Sequence, residues 1–381
     1  MPVKNKKFAQ RIGKGVLVII FLINMFFATL LLLSMSAWVV SPEKSEILAY
    51  LGLGFPLLLI INIIPLIFWI LLFKWKFALV NVIVLLCSWG AISTYYPLHG
   101  RTSKVPNDCI KILSYNVQGF KWKKGAEARK NPIFDYILDT DADIVCLQEY
   151  IAHYKKDKPN DGIITEKEVN QILNKYPYHS IKRFGENATP YTFGVACYSK
   201  YPIEKITHIP TYSTFNGSVM YEIEVNGKRI TLINNHLESN KLTTNDKQLY
   251  KDFVESRDTK MLNEVTANIS ERLGTAYKLR AVQADTIASV IKRQEGRTDA
   301  IIVCGDFNDT PISYAYHKIK GDLIDSFAET GKGQGITYNE NKFWFRIDYI
   351  MHSKNVKSYN CTVDKVKLSD HYPIWTYLQL N

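Results

Sequence analysis

Three long uncharged apolar stretches open the chain, and a series of short apolar runs with different spacing follows them. Val16 to Val40 spans 25 residues without a charge, Ile47 to Phe73 spans 27, and Phe77 to Tyr96 spans 20. Crossing a hydrocarbon core takes about 20 apolar residues at helical rise. Lipid obliges the backbone to satisfy its own hydrogen bonds, so each stretch predicts a transmembrane helix, at about 16–40, 47–73 and 77–96. Pro56 and Pro65 predict a bend in the second. A cleaved signal peptide would account for the first stretch alone, not for the two behind it.

Beyond residue 99 the pattern changes. The polar segment Gly100–Asp108, with Pro106, reads as a linker, and 109–381 as a separate domain. Ile110–Tyr115 and Asp143–Leu147 are short apolar runs suited to buried strands, and Ala126–Leu138 between them has helical spacing at Ile133, Tyr136 and Ile137. Phe193–Tyr198, Ser218–Val225 and Arg229–Asn234 read as strands, the last two joined at Asn226-Gly227, a strong hairpin signal. Leu279–Ile291 repeats apolar residues at Leu279, Val282, Ile287, Val290 and Ile291, an amphipathic helix. Ala300–Cys304, Ile347–Met351 and Tyr372–Leu378 are further strands. The alternation predicts a layered α/β domain. Asn240–Thr275 is polar and charged, partly helical in pattern, and reads as an insertion or lid.

Charge is uneven. Residues 1–100 hold eight Lys/Arg against two acids, a net of +6 of the chain's +11, which leaves a mild +5 over the remaining 281 residues. That surplus tolerates a phosphate-bearing substrate without announcing a nucleic-acid binder. The N-terminal tail carries five positive charges and the loop Lys74-Trp75-Lys76 two, whereas Ser41–Glu46 has one Lys against two Glu. Positive loops stay cytoplasmic, so three crossings predict a multi-pass protein of the cell membrane with an extracytoplasmic domain. A transporter would need more spans or intramembrane charges. Besides Cys87 in the third stretch there are five cysteines, with no zinc-knuckle or redox spacing. Cys109, Cys146, Cys197 and Cys304 lie in or beside strand-like runs, where free thiols pack as small hydrophobes.

Polar, metal-competent residues gather where the strands end. Ile112-Leu-Ser-Tyr-Asn116 finishes in Asn, and Asp143-Ile-Val-Cys-Leu-Gln-Glu149 in Glu. Asn234-Asn-His236 and Cys304-Gly-Asp306-Phe-Asn308 follow apolar strands, Arg346-Ile-Asp348 puts an acid inside one, and Ser369-Asp370-His371 precedes the last. Strand ends along one sheet edge are where α/β domains assemble sites. Carboxylate and amide oxygens suit hard cations, not the Cys/His set of zinc. Each piece has an ordinary reading: Gly-Asp-x-Asn as an Asx-type turn, His236 as a structural histidine, Glu149 as a solvated strand end, Asp348 as a partner of Arg346. All six together make the ordinary reading poor.

The set resembles the endonuclease/exonuclease/phosphatase superfamily, which includes pancreatic-type deoxyribonucleases, apurinic-site endonucleases, bacterial sphingomyelinases and inositol-polyphosphate phosphatases. The likeness runs from about Ile110 to Leu378 in the family's block order. It includes Gly194-Val-Ala-Cys-Tyr-Ser-Lys-Tyr-Pro-Ile203, Arg280-Ala-Val-Gln283, and the pair Gly305-Asp306-Phe-Asn308 and Ser369-Asp370-His371-x-Pro373. It implies a four-layered α/β sandwich, two packed mixed β-sheets flanked by helices, preceded here by the three transmembrane helices. It also implies Mg²⁺ or Mn²⁺ held by Asn116, Glu149 and Asp370. Of the catalytic residues, Asp306 would orient or deprotonate the attacking water, Asn308 hold a phosphate oxygen or a second metal position, and His236 donate to the phosphoryl or leaving oxygen. His371 would contact the scissile phosphate, and Asp348 would hold it oriented and charged. Gln118 and His236 stand where apurinic-site nucleases carry an acid and a Tyr, which sets the chain apart from that branch.

The expectation is therefore a membrane-tethered, metal-dependent phosphodiesterase acting on nucleic acid or a lipid head group, with the bilayer as its other partner and no protein partner deducible. Lys121, Lys123, Lys124 and Arg129 offer local contacts for a nucleic acid. The alternatives are a phosphomonoesterase and a catalytically inactive binding or signalling module, but the residues named here include every part of the implied site.

Overall fold

A computed structural model describes residues 2–154, 162–185, 191–241, 243–256, 262–340 and 342–380. Contacts divide the chain into two compact units, Met1–Ile92 with Ile312–Tyr314, and Ser93–Pro311 with Ala315–Asn381.

The N-terminal region is helical: α1 (Pro2–Ser34), α2 (Glu46–Leu53), α3 (Phe55–Leu71), α4 (Trp75–Cys87) and α5 (Trp89–Tyr95). Among the described residues one helical segment, Gly13–Trp38, is unbroken, long and apolar enough to cross a membrane. The second and third apolar stretches each form a pair of helices bent by 61°, and three spans are reached only if each bent pair is one span. This corrects the expectation of three transmembrane helices of which only the second would bend. The break in the second stretch falls at Gly54, just before Pro56 in the first turn of α3, where its missing N–H is tolerated. Pro65, also expected to bend the chain, lies inside α3. In the third stretch the break is at Ser88, whose hydroxyl donates to Val84 O, a local bond that competes with the helix ladder. Buried amides tie three helices together. Asn24 and Asn81 exchange hydrogen bonds of 2.9 Å, and Trp69 Nε1 donates to Asn24 Oδ1 at 3.1 Å.

The second unit holds the strands β1 (Ile110–Asn116), β2 (Ile144–His153), β3 (Tyr178–Arg183), β4 (Tyr191–Ser199) and β5 (Ile203–Ile209). Next come β6 (Gly217–Val225), β7 (Lys228–His236), β8 (Ala300–Asp306), β9 (Ile324–Asp325), β10 (Tyr338–Glu340) and β11 (Phe343–Phe345). The last are β12 (Asp348–His352), β13 (Val356–Val363) and β14 (Ile374–Leu380). Its helices after α5 are α6 (Gly125–Arg129), α7 (Pro132–Thr140), α8 (Glu166–Ile172), α9 (Thr244–Ser256), α10 (Leu262–Gln294), α11 (Tyr314–Lys320) and α12 (Ser326–Thr330).

Two six-stranded mixed sheets result, ordered β13-β14-β1-β2-β4-β3 and β5-β6-β7-β8-β12-β9. Each is antiparallel except for a parallel pair at its middle, β1 with β2 and β7 with β8. Ile112, Cys146, Val195, Tyr221, Leu232, Ile302 and Ile350 from both sheets form one buried cluster. On the first sheet's other face, Leu113, Val145 and Leu147 pack with Ile133, Phe134 and Ile137 of α7 and Val169 of α8. On the second, Ile233, Val303 and Met351 pack with Ala284, Ile287 and Val290 of α10 and Ile319 of α11. Helix, sheet, sheet, helix is the expected α/β sandwich.

Several boundaries moved. The helix expected over Ala126–Leu138 is split by Asn131, which caps α7 by accepting from Ile133 N. The Leu279–Ile291 helix is the C-terminal part of the 33-residue α10. The polar Asn240–Thr275 stretch supplies α9 and the start of α10, with residue 242 and residues 257–261 outside the described set. The Asn226-Gly227 hairpin forms as expected, both residues having positive φ. All six cysteines are free, and Cys146, Cys197, Cys304 and Cys361 are buried.

Candidate active site

The C-terminal ends of the two parallel pairs meet at one edge of the sandwich, and the expected residues come from them. Asn116 ends β1, His236 ends β7 and Asp306 ends β8. Register aligns His236 with Asp306, and Asp306 with Asp348 at the start of β12. Asn116 Nδ2 lies 3.0 Å from both Glu149 Oε1 and Asp306 Oδ2, a single amide joining acids from opposite sheets.

Glu149 reaches this point through a local distortion. Strand β2 was expected to finish there, yet it continues to His153 with a register shift against β4 between Leu147 and Tyr150. Glu149 has φ of +50°, uncommon for a residue with a side chain. A bulge of this kind turns a strand and re-aims a side chain. Gln148 meanwhile points inward, its Nε2 donating to Asn234 Oδ1 at 2.7 Å.

The Gly305-Asp306-Phe-Asn308 segment forms the turn of its ordinary reading and also brings Asp306 to the other sheet's Asn116. Asn308 N donates to Asp306 Oδ1 at 2.8 Å, an Asx-type turn, and the same turn leaves Asp306 Oδ2 facing Asn116. Asn308 Nδ2 donates to Leu237 O at 3.0 Å. Only glycine fits at Gly305: φ is +123°, and a Cβ would stand 2.0 Å from Asn235 O.

The histidines differ in charge. His371 Nδ1 is 2.8 Å from Asp348 Oδ2, and Nε2 is 3.7 Å from Asp306 Oδ2. Burial pulls its basicity down, but the Asp348 and Asp306 charges outweigh that and leave it well above the ordinary histidine value. His236 is 3.8 Å from Glu149 Oε1 and 3.9 Å from Asp306 Oδ2. Burial, followed by the neighbouring His371, pushes it down to about 4, so it is neutral at pH 7. Asn216 Nδ2 donates to Leu237 O and also lies 3.1 Å from His236 Nε2, which assigns that nitrogen as the acceptor. Burial and the Asp348 charge push Asp306 up to about 7.

Arg346 does not pair with Asp348. Its guanidinium is bound to Asp325 at 2.6 Å, in a fully buried ion pair. Asp370 is partly exposed, accepts from Ser369 Oγ at 3.2 Å, and belongs to neither cluster of prospective metal ligands. Those clusters, among the described residues, are Glu149, His236 and Asp306, and Asp306, Asp348 and His371, each with ligand atoms within 4.8 Å of one another. The first joins His236 to the expected ligand Glu149. Three carboxylates meet here beside one charged imidazole, and the Asp348 Oδ1 atom is buried without a hydrogen-bond partner. A divalent cation suits this surplus of oxygen donors and negative charge.

Sequence reasoning overlooked Asn216, Thr337 and Tyr338. Thr337 Oγ1 accepts from Ile347 N and Asp348 N, at 3.0 and 3.1 Å, and the Tyr338 ring packs edge-on to His371 at 5.1 Å. Asn216, ahead of β6, and the Thr337-Tyr338 dipeptide lack the acid or imidazole that would have drawn attention.

The model of the endonuclease/exonuclease/phosphatase family matches residues 113–371, and one described as a domain of unknown function matches 17–95. No curated protein is significantly similar in sequence. Among solved structures, the catalytic domain of human Nocturnin with bound sulfate is 16% identical, covering 74% of this chain and 97% of its own, with a TM-score of 0.51. An endonuclease/exonuclease/phosphatase family protein from Leptotrichia buccalis is 19% identical (71% and 99% covered, TM-score 0.49). Sphingomyelinase C from Streptomyces griseocarneus is 15% identical (72% and 99% covered, TM-score 0.47). At such identities the Nocturnin likeness speaks for the fold alone, while the family match spans more than half the chain and includes each of the site's strand-end motifs. The chain therefore belongs to the endonuclease/exonuclease/phosphatase family.

Proposed function

We propose that the chain is a membrane-tethered, divalent-metal-dependent phosphodiesterase whose domain, 109–381, lies outside the cytoplasm. One observation carries the reading: Asn116, Glu149, His236, Asp306, Asp348 and His371, far apart in sequence, converge from both sheets into one buried, acid-rich cluster. Membrane attachment is supported by the continuous apolar helix Gly13–Trp38 and by the two bent apolar pairs.

Glu149 and Asn116, with Asp370 at the rim, would hold Mg²⁺ or Mn²⁺. His236 Nε2, whose lone pair accepts from Asn216, lies 3.8 Å from Glu149 Oε1, beside the same position. A bound cation supplies positive charge against the charge that builds on the phosphoryl oxygens. Asp306, poised near neutrality, takes the proton of the attacking water. His371 stays charged through Asp348 and donates from Nε2 to a phosphate oxygen. Asn308 fixes the Asp306 carboxylate through its backbone N–H and offers its amide to a second oxygen.

Exposed aromatic residues stand near the site. Phe215 adjoins Asn216, and the β10–β11 hairpin that begins with Tyr338 also carries Trp344, with Phe215 58% and Trp344 53% exposed. With a tether and a mild net charge, they favour a lipid head-group diester over tightly bound nucleic acid.

The test is a substrate panel with Mg²⁺ and with Mn²⁺: bis-p-nitrophenyl phosphate, sphingomyelin, phosphatidylinositol, plasmid DNA and p-nitrophenyl phosphate. Hydrolysis of at least one diester, abolished by EDTA, is expected. Turnover confined to the monoester would indicate a phosphatase, and none with any metal an inactive module.

A further inference from the structure

A hollow of about 520 Å³ shares no residue with the candidate site. The segment after α5, the glycine-rich loop leading into β10, and the end of β13 enclose it. His99, Arg101, Lys332 and Lys365 line it, and no carboxylate does. Among the described residues Arg101, Lys332 and Lys365 form no ion pair with an acid. A domain only mildly basic overall therefore gathers three permanent cations around one concavity. Charges of one sign facing one hollow repel, more so as solvent is excluded, and an anion relieves the repulsion.

The floor is built to keep its shape. Gly333 and Gly335 have φ of +84° and +61°, and a Cβ on Gly335 would stand 2.5 Å from the Phe327 ring, so the loop packs tightly. Turns rich in such conformations form concave anion-binding surfaces. Gly333 N donates to Pro97 O at 2.8 Å, and Leu98 bridges to Lys332, which joins the loop to the segment following α5. The loop runs on into Thr337, which holds Asp348 and whose carbonyl accepts from Tyr372 N at 2.6 Å.

We propose that this pocket binds the phosphate group of an anionic phospholipid or of a free phosphate ester, apart from catalysis. His99 and Arg101 follow Tyr95, the last residue of α5, by only a few positions, a reach of at most about 20 Å even fully extended. That proximity favours the lipid as source, and to this extent the proposal rests on the membrane reading. A seated anion clamps the loop that leads to the Asp348 and His371 segment.

The test compares hydrogen exchange of residues 97–104 and 330–336 in the full-length protein in nanodiscs. The discs hold phosphatidylcholine alone, phosphatidylcholine with phosphatidylglycerol, or phosphatidylcholine with added inorganic phosphate. Slowing of about tenfold in the phosphatidylglycerol discs is expected. It should vanish in the Arg101→Ala, Lys332→Ala, Lys365→Ala variant and persist in the charge-keeping Arg101→Lys, Lys332→Arg, Lys365→Arg variant. Slowing by inorganic phosphate instead supports the site with a soluble ligand. Unchanged exchange in both arms, or slowing that survives the triple alanine variant, overturns it. Failure to enter nanodiscs would count against the membrane reading alone, since the phosphate arm can be run in solution.

Discussion

His371 Nδ1 sits 2.8 Å from the Asp348 carboxylate, and both side chains are almost completely buried. The contact keeps an imidazolium charged where burial alone would discharge it, and it points Nε2 toward Asp306. Asp348 is in turn held by Thr337, so orientation passes outward through a hydroxyl and a loop.

Replacing Asp348 by Asn should therefore lower kcat by about 10–100-fold with KM little changed. The alkaline limb of the pH–rate profile should also move to lower pH, because His371 loses the charge that raises it. An unmoved limb would mean that His371 is not charged through this contact.

Asp306 predicts how stability depends on pH. Its native value of about 7 is raised above the 3.8 of an ordinary Asp, so the native state holds a proton that the unfolded state releases. The stability linked to that proton is fully present below about pH 4 and is lost as pH rises through about 7, on the order of 2–4 kcal/mol. Urea denaturation in EDTA across pH 5–8 should show this decline. Asp306→Asn should flatten it and Mg²⁺ should offset it. A metal-free protein whose stability does not fall would contradict a carboxylate raised by burial and by Asp348.

Much of this was legible in the sequence because strand ends with acid, amide or imidazole groups are local signals. Asn116, His236, Asp306 and His371 could be read one motif at a time. Their meeting across two sheets could not, since it depends on strand order, and the resemblance supplied it. The bulge at Glu149 left no mark, because Leu-Gln-Glu-Tyr reads equally well as a strand ending. Nor could hydropathy alone show the 61° breaks at Gly54 and Ser88: the first falls beside Pro56, which predicts a bend, and the second at a local hydroxyl bond inside an apolar stretch.

The Asp306 turn should be intolerant of any side chain at Gly305. A Cβ there collides with the β7 backbone and demands a positive φ, so Gly305→Ala should cost more than about 3 kcal/mol or abolish folding. Thermal unfolding checks this, and a melting temperature like that of the unchanged protein would refute the close approach of β7 and β8.

In the helical region, Asn24 and Asn81 bond to one another between helices, and polar pairs in an apolar setting add modest stability. Asn24→Leu should lower resistance to unfolding in SDS titrations by about 1 kcal/mol. Adding Asn81→Leu should cost little more, because both members of the pair are then gone. Fully additive losses would show that the two amides act separately.

The central claim is that Glu149 and its neighbours form one cation-dependent catalytic centre. Mn²⁺ titration by calorimetry, paired with bis-p-nitrophenyl phosphate turnover, on the unchanged protein and on Glu149→Ala tests it most directly. Affinity and turnover should both fall by about 100-fold or more in the variant, with melting temperature preserved. Undiminished Mn²⁺ binding and turnover in Glu149→Ala would contradict the account.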